Sequence, residues 1–257
     1  ISKKEFEKKY KSEKHSVCIA PGRVNLIGEH TDYNLGLAMP IAINRWICVV
    51  IKKRSDRKVN IYSSNFKKSI HSTLNDLNPN KLWEKYVFGC IQAVKDKFDI
   101  KNGLDLLIRG NVPIGFGVSS SAALEVALIG ALLLEYNLDV DLSLILQLSN
   151  KVERNYLGIE SGMLDQYASI FSKKNNPIII DFSNLSHRYV NMNIEDGSWI
   201  IINSMVKREL VFSKYNERVN ECKEGLRQIN KPLSKKLLIN EICLKDLKSI
   251  KNNNVLY

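Results

Sequence analysis

The sequence predicts an α+β fold. Three observations lead there: β-branched stretches come in groups, helical periodicity is interspersed among them irregularly, and no strict strand–helix alternation marks a doubly wound sheet. The first residues, 1–14, are charged and read as an amphipathic helix rather than a secretory signal with an apolar centre. Strand-like runs follow at 16–20, 47–53, 59–63 and 105–109, and again at 177–182, 189–192 and 199–203. Helical spacing is seen at 81–97, 119–136, 142–156, 164–171 and 215–229, the last placing Val219, Cys222, Leu226 and Ile229 on one face. Internal repeats and low-complexity linkers are absent from the sequence. The polar stretch 172–176 is the expected seam, dividing residues 1–172, which carry the chemically informative loops, from the second strand group in 173–257.

Bulk properties exclude several function classes. Hydrophobic residues make up 44% and charged residues 25%, ordinary for a globular protein. No apolar run approaches the roughly 20 residues that a membrane helix needs. The formal charge of +11 comes from lysines spread along the chain beside many asparagines, as in Lys251-Asn252-Asn253-Asn254. These clusters lack interleaved aromatics and recognised motifs, so the expectation is no nucleic-acid partner. Five cysteines, an odd number without CxxC spacing, argue against a disulfide framework or zinc site and for the cytoplasm.

The first informative segment runs Asn111-Val112-Pro113-Ile114-Gly115-Phe116-Gly117-Val118-Ser119-Ser120-Ser121-Ala122-Ala123. Two glycines and three serines lead from a strand into a helix that is apolar nearly all round, with Glu125 its only charge before Glu135. The first turn of a buried helix leaves backbone N–H groups to satisfy, and the helix dipole favours an anion there. The loop is therefore shaped to cradle phosphates. A serine N-cap is the simpler alternative, although three serines exceed what capping requires. A Walker A loop needs Gly-Lys-Ser/Thr, absent here, and a dinucleotide fingerprint needs a third glycine where Ser120 stands.

The second segment, Pro21 to Asn34, reads as a polar cluster between two strands: Arg23, Asn25, Glu29, His30, Asp32 and Asn34, spaced by two glycines. Carboxylates, an imidazole and amides at this density suit a hydroxyl-rich ligand, because each sugar hydroxyl both donates and accepts. A solvated polar loop is the competing reading.

The two segments resemble the first two signatures of the GHMP kinases. Gly22-Arg23-Val24-Asn25-Leu26-Ile27-Gly28-Glu29-His30-Thr31-Asp32-Tyr33-Asn34 is similar to the form that galactokinases carry. So are Val59-Asn60-Ile61-Tyr62-Ser63-Ser64-Asn65-Phe66, Gly158-Ile159-Glu160-Ser161-Gly162-Met163-Leu164-Asp165-Gln166 and Ser213-Lys214-Tyr215-Asn216-Glu217-Arg218. The resemblance implies a GHMP kinase fold of two domains with the active site in the cleft between them. It implies ATP-dependent phosphorylation of galactose at the anomeric hydroxyl, the first committed step of galactose catabolism. Partners would be galactose and ATP with Mg²⁺, in a monomer. By position it implies that Glu29, His30, Thr31 and Asp32 hold the sugar, with Gly162 and Tyr215 completing that pocket. Asp165 matches the catalytic base and Arg23 the cation beside it. Gly115, Phe116, Gly117, Val118, Ser119, Ser120 and Ser121 match the phosphate loop, Ser121 and Glu153 the Mg²⁺ ligands, and Trp83 and Tyr86 the adenine region. Without the resemblance, Asp165 would suit the first turn of a helix, Glu153 a solvated helix face and Tyr215 a packing position.

Departures from the family pattern are Ser161, Leu164, Leu35 and the bulky Phe116. The third, glycine-rich motif of the family is not reached before Val255-Leu256-Tyr257, so a truncated second domain is expected. Two rival readings remain, a kinase for N-acetylgalactosamine or arabinose, and a non-catalytic sugar and ATP sensor. The complete Ser119-Ser120-Ser121-Ala122-Ala123 run favours an enzyme over the sensor.

Overall fold

The computed structural model describes residues 1–192, 197, 199–203, 205, 211–234 and 236–249. Order along the chain is α1 (Ser2–Tyr10), β1 (Ser16–Ile27), β2 (Leu37–Lys53), β3 (Lys58–Ser63), β4 (Lys68–Thr73), α2 (Leu82–Phe98), β5 (Leu104–Gly110) and α3 (Ser120–Glu135). There follow α4 (Leu142–Lys151), a π-helical turn (Val152–Tyr156), α5 (Leu164–Phe171), β6 (Ile178–Asp181), β7 (Ser186–Tyr189) and α6 (Val211–Asn230).

Among the described residues the strands form a seven-stranded sheet in the order β4-β3-β5-β2-β6-β7, with β1 paired to β2. Only β3 and β5 pair in parallel; the other ladders are antiparallel. The central strands are apolar on both faces because both are covered. Val49, Ile51, Leu104, Leu106 and Ile108 join the core made with α2 and α3, whereas Val50 and Leu107 point the other way onto Phe6 of α1. Helix α3 lies inside this core, with Leu128, Ile129, Leu132 and Leu133 inaccessible to solvent, which is why its sequence shows no polar stripe. Burial of apolar surface on both sheet faces is what holds these distant segments in register.

Several elements differ from expectation. The segment from Pro21 to Ile27 is strand, not a loop between strands: β1 continues through it, with register shifts between Pro21 and Arg23 and between Asn25 and Ile27. Such irregularities sit at sheet margins and re-aim side chains, and proline is tolerated there because its missing N–H breaks no ladder. Strand β2 likewise starts at Leu37, well before the β-branched run. Strand β4 was not anticipated: its Lys-Ser-Ile-His-Ser-Thr sequence is polar because it is an outer strand. Strand β7 ends at Tyr189, where the run 189–192 was expected to begin. A tight turn places it early, the Asp181 carboxylate accepting from Ser183 N at 2.9 Å and Leu185 taking φ 56°. Residues 199–203 carry strand propensity but form no strand, since β-branched residues need a neighbouring strand to pack against; Ile200 and Ile202 are exposed. The helix expected over 142–156 breaks into α4 and the π turn. Beyond 172, a turn bridged by Lys173 and Asn176 leads to β6, whose Ile180 and Asp181 pair with Ala38 and Leu37 of β2. The Lys251 to Tyr257 tail lies outside the described residues.

Candidate active site

Strand β1, the glycine–serine loop and the start of α5 meet around one carboxylate. At Gly22 a Cβ would stand 2.6 Å from Val118 O, so only glycine lets the strand lie against the loop. The next residue exploits that approach: Arg23 N donates to Val118 O at 3.2 Å, and its Nη1 to Gly117 O at 2.8 Å. The same guanidinium reaches Asp165, Nε donating to Oδ1 at 2.9 Å and Nη2 donating to that oxygen as well. The other carboxylate oxygen accepts from Ser119 Oγ at 2.6 Å. Arg23, Ser119 and Asp165, far apart in sequence, therefore converge. The simpler capping role for Ser119 is not adopted: it takes the left-handed conformation, φ 59°, and its hydroxyl goes to Asp165 rather than to a helix amide.

Behind Ser119, the first turn of α3 presents its amides beside the hydroxyls of Ser120 and Ser121. Gly115 and Gly117 have φ of 81° and 73°, the region that glycine occupies without strain, so the loop turns sharply ahead of the helix.

The sugar-type residues form a second wall. A short 3₁₀ turn, Asp32–Asn34, sets Asp32 against the N-terminus of α5, where its Oδ2 accepts from Leu164 N at 3.2 Å. Burial pushes the Asp32 carboxyl above its ordinary range, and the nearby Asp165 charge adds to this. Gly162 is what admits that carboxylate: a Cβ there would lie 2.1 Å from Asp32 Oδ2. His30 Nδ1 is 2.7 Å from Tyr33 Oη, and both rings pack on Tyr215 of α6, at 5.3 and 5.5 Å between centroids. Burial raises the Tyr215 phenol well above its usual value, so it is a neutral hydroxyl.

These walls enclose a cleft of about 720 Å³. Of the residues expected at the site, Arg23, Glu29, His30, Asp32, Trp83, Tyr86, the loop 115–121, Glu153, Gly162, Asp165 and Tyr215 line it. Thr31 does not; its hydroxyl donates to the backbone oxygens of Gly28 and Leu37, at 2.7 and 2.9 Å, and closes the loop on itself. Trp83 packs against Phe66, 5.3 Å between centroids, giving one end of the cleft an aromatic platform.

Glu153 shows most clearly what tertiary structure adds. On a regular helix it reads as solvated; on the π turn it is buried, its carboxylate accepting from Ser161 Oγ. Burial, with the Asp165 and Asp32 charges adding, pushes its carboxyl up to about 7. Glu125 is more extreme, fully buried and far above the usual carboxylate range, with Oε1 lacking any protein partner among the described residues. Acidic groups thus accumulate at the loop end of the cleft, with Arg23 as the cation paired to Asp165. Ser121 and Glu153 both line that end, and oxygen donors of this kind suit a hard divalent cation, although among the described residues no three acidic, histidine or cysteine side chains group into a full ligand set.

Gln166 and Phe66 also line the cleft, Tyr33 packs beside His30 and Tyr215, and Glu125, visible in the sequence as the one charge in an apolar helix, lies behind the cleft bonded to Gln166. Cys222 of α6 also touches the sugar wall, accepting from Asn34 Nδ2 at 3.4 Å. Periodicity alone placed it on the packing face of that helix.

The galactokinase galactose-binding signature matches residues 4–53 and the GHMP kinases N terminal domain matches residues 85–173. The galactokinase of Ligilactobacillus salivarius is 37% identical over 239 residues, 91% of this chain and 62% of that protein. The galactokinase of Clostridium tetani is 38% identical over 262 residues, 99% of this chain and 66% of its own. The chain thus spans under two thirds of the length of these curated relatives. The crystal structure of Lactococcus lactis galactokinase complexed with galactose superposes with a TM-score of 0.89 at 34% identity, covering 99% of this chain and 68% of that one. Methanococcus jannaschii mevalonate kinase, at 22% identity and a TM-score of 0.63, shares the fold.

Proposed function

The chain belongs to the galactokinase family of GHMP kinases, and from that premise we propose that it transfers the γ-phosphoryl group of ATP to the anomeric hydroxyl of galactose. The observation that carries this reading is the Asp165 carboxylate, tied on one side to Arg23 and on the other to Ser119 of the anion-cradling loop. It stands where a sugar held by Asp32 and neighbouring polar groups would meet a phosphate held by the loop.

Phosphoryl transfer asks a protein chiefly for position and charge stabilisation. Asp165 accepts or orients the proton of the attacking hydroxyl, and Arg23 keeps that carboxylate ionised while countering negative charge on the transferring group. Glu29, His30, Asp32, Gly162 and Tyr215 bind and orient the sugar; Thr31 holds the loop that presents them. Loop residues 115–121 bind the phosphates, with Trp83, Tyr86 and the Phe66 ring beside the base. Ser121 and Glu153 would hold Mg²⁺, which neutralises phosphate charge when bound. Residues 1–172 supply most of this cleft, and 173–257 begin a second domain contributing Tyr215.

The test is a coupled assay of ADP release from the chain with galactose, N-acetylgalactosamine and arabinose. Turnover with galactose well above the other two is expected. Turnover confined to another sugar, or tight binding of galactose and ATP without ADP release, overturns the reading.

A further inference from the structure

Helix α3 carries a carboxyl group that an apolar helix has no packing use for. Glu125 is 0% exposed, on a helix that carries no other charged residue before Glu135. Burying such a group is unfavourable, and an apolar side chain of similar volume commonly leaves a fold as stable or more so. It does not line the cleft, so it does not touch a substrate.

What it touches is Gln166, 1% exposed, whose Nε2 donates to Glu125 Oε2 at 3.0 Å. Gln166 directly follows Asp165 at the start of α5, and it lines the cleft beside that residue. One hydrogen bond thereby ties α3 to the first turn of α5, the turn that delivers Asp165. The rotation of the Gln166 carboxamide is fixed from behind by Glu125. Among the described residues Glu125 Oε1 and Gln166 Oε1 both lack partners, so the pair is not retained for hydrogen-bond saturation of the core.

We propose that Glu125 is a positioning residue: through Gln166 it sets where the Asp165 carboxylate stands relative to the phosphate loop. This rests on the phosphotransfer reading above. A purely structural tie would show as lost stability when broken. A positioning tie shows as lost turnover in a protein that remains folded and still binds sugar.

The test compares wild type with Glu125→Leu and Glu125→Gln. The leucine variant removes the acceptor at similar volume; the glutamine variant keeps an acceptor oxygen for Gln166. Expected for Glu125→Leu are a melting temperature within a few degrees of wild type, an unchanged galactose Kd by calorimetry, and kcat lower by about a hundredfold, the effect of misplacing reacting groups by about 1 Å. Glu125→Gln should keep kcat within about threefold, since its amide oxygen still receives the Gln166 hydrogen bond. The proposal is overturned if Glu125→Leu keeps wild-type kcat, if its activity loss tracks a loss of stability, or if Glu125→Gln is as impaired as the leucine variant. Crystal structures of wild type and Glu125→Leu give a readout independent of turnover, with a displaced Asp165 carboxylate expected and an unmoved one overturning the proposal. Absent transfer in wild type would sink the phosphotransfer reading by itself, and those structures would still decide the positioning role.

Discussion

Replacing Gly162 by alanine is the smallest change that separates the sugar wall from the rest of the cleft. An added Cβ would lie 2.1 Å from Asp32 Oδ2, 2.2 Å from its Cγ and 2.8 Å from its Cβ. The last distance is the decisive one. A clash with a side-chain tip is relieved by rotation, but the Asp32 Cβ is fixed to the backbone of a 3₁₀ turn, so either the turn or the α5 N-terminus must move. Overpacking of this kind costs about 1–3 kcal/mol. At about 2–4 °C per kcal/mol for a chain of this size, the melting temperature should fall by roughly 2–12 °C. The displaced carboxylate also loses its bond from Leu164 N and its place in the sugar wall. A charge-assisted hydrogen bond contributes about 1.5–3 kcal/mol, so galactose affinity measured by calorimetry should weaken about 10- to 150-fold. Adding Asp32→Ala to Gly162→Ala removes the obstructing atoms: the double variant should melt above Gly162→Ala while its galactose binding stays weak. Wild-type affinity and melting temperature in Gly162→Ala, or a double variant less stable than the single one, would refute the steric reasoning.

Other outcomes follow from the same geometry. Asp165→Ala should abolish turnover while leaving galactose binding measurable by calorimetry; near-normal ADP release would reject its assignment. Ser119→Gly removes the hydroxyl bonded to Asp165 and relieves a left-handed non-glycine residue, so its melting temperature should hold or rise slightly while kcat falls about tenfold. Glu153 gives a pH dependence. Its folded carboxyl titrates at about 7 against 4.5 ordinarily, so protonation favours the folded state. That contribution is complete below pH about 4.5 and is lost as pH rises through about 7. Relative to Glu153→Gln, wild type should therefore lose up to about 3 kcal/mol of stability across that window in urea melts at stepped pH, and parallel curves for the two proteins would contradict the burial of this group.

Much of this was legible in the sequence because the signals are local. Periodicity predicts α5 over the same residues that form it, Leu164–Phe171, and α2, α3, β3 and β5 to within a residue or so, since their apolar faces repeat with the period of the element they form. The glycine–serine loop suggests anion binding from sequence alone because backbone amides at a helix start favour that chemistry. The sugar cluster was visible as density of polar groups, though the strand that carries its first half was not. A strand holding proline, glycine and arginine violates local propensity and exists because β2 pairs with it.

Tertiary structure alone decided which groups meet. Residue types by themselves gave Asp165 an ordinary place in the first turn of a helix, and Glu153 one on a solvated face. Packing brought Arg23 and Ser119 onto opposite sides of the Asp165 carboxylate, and a π turn swung Glu153 into the interior. The chain's pattern determined the elements because backbone geometry and apolar periodicity act over a few residues. The environment of each charge depends on what the sheet and helices stack against it across more than a hundred residues, and that follows only once the core has closed.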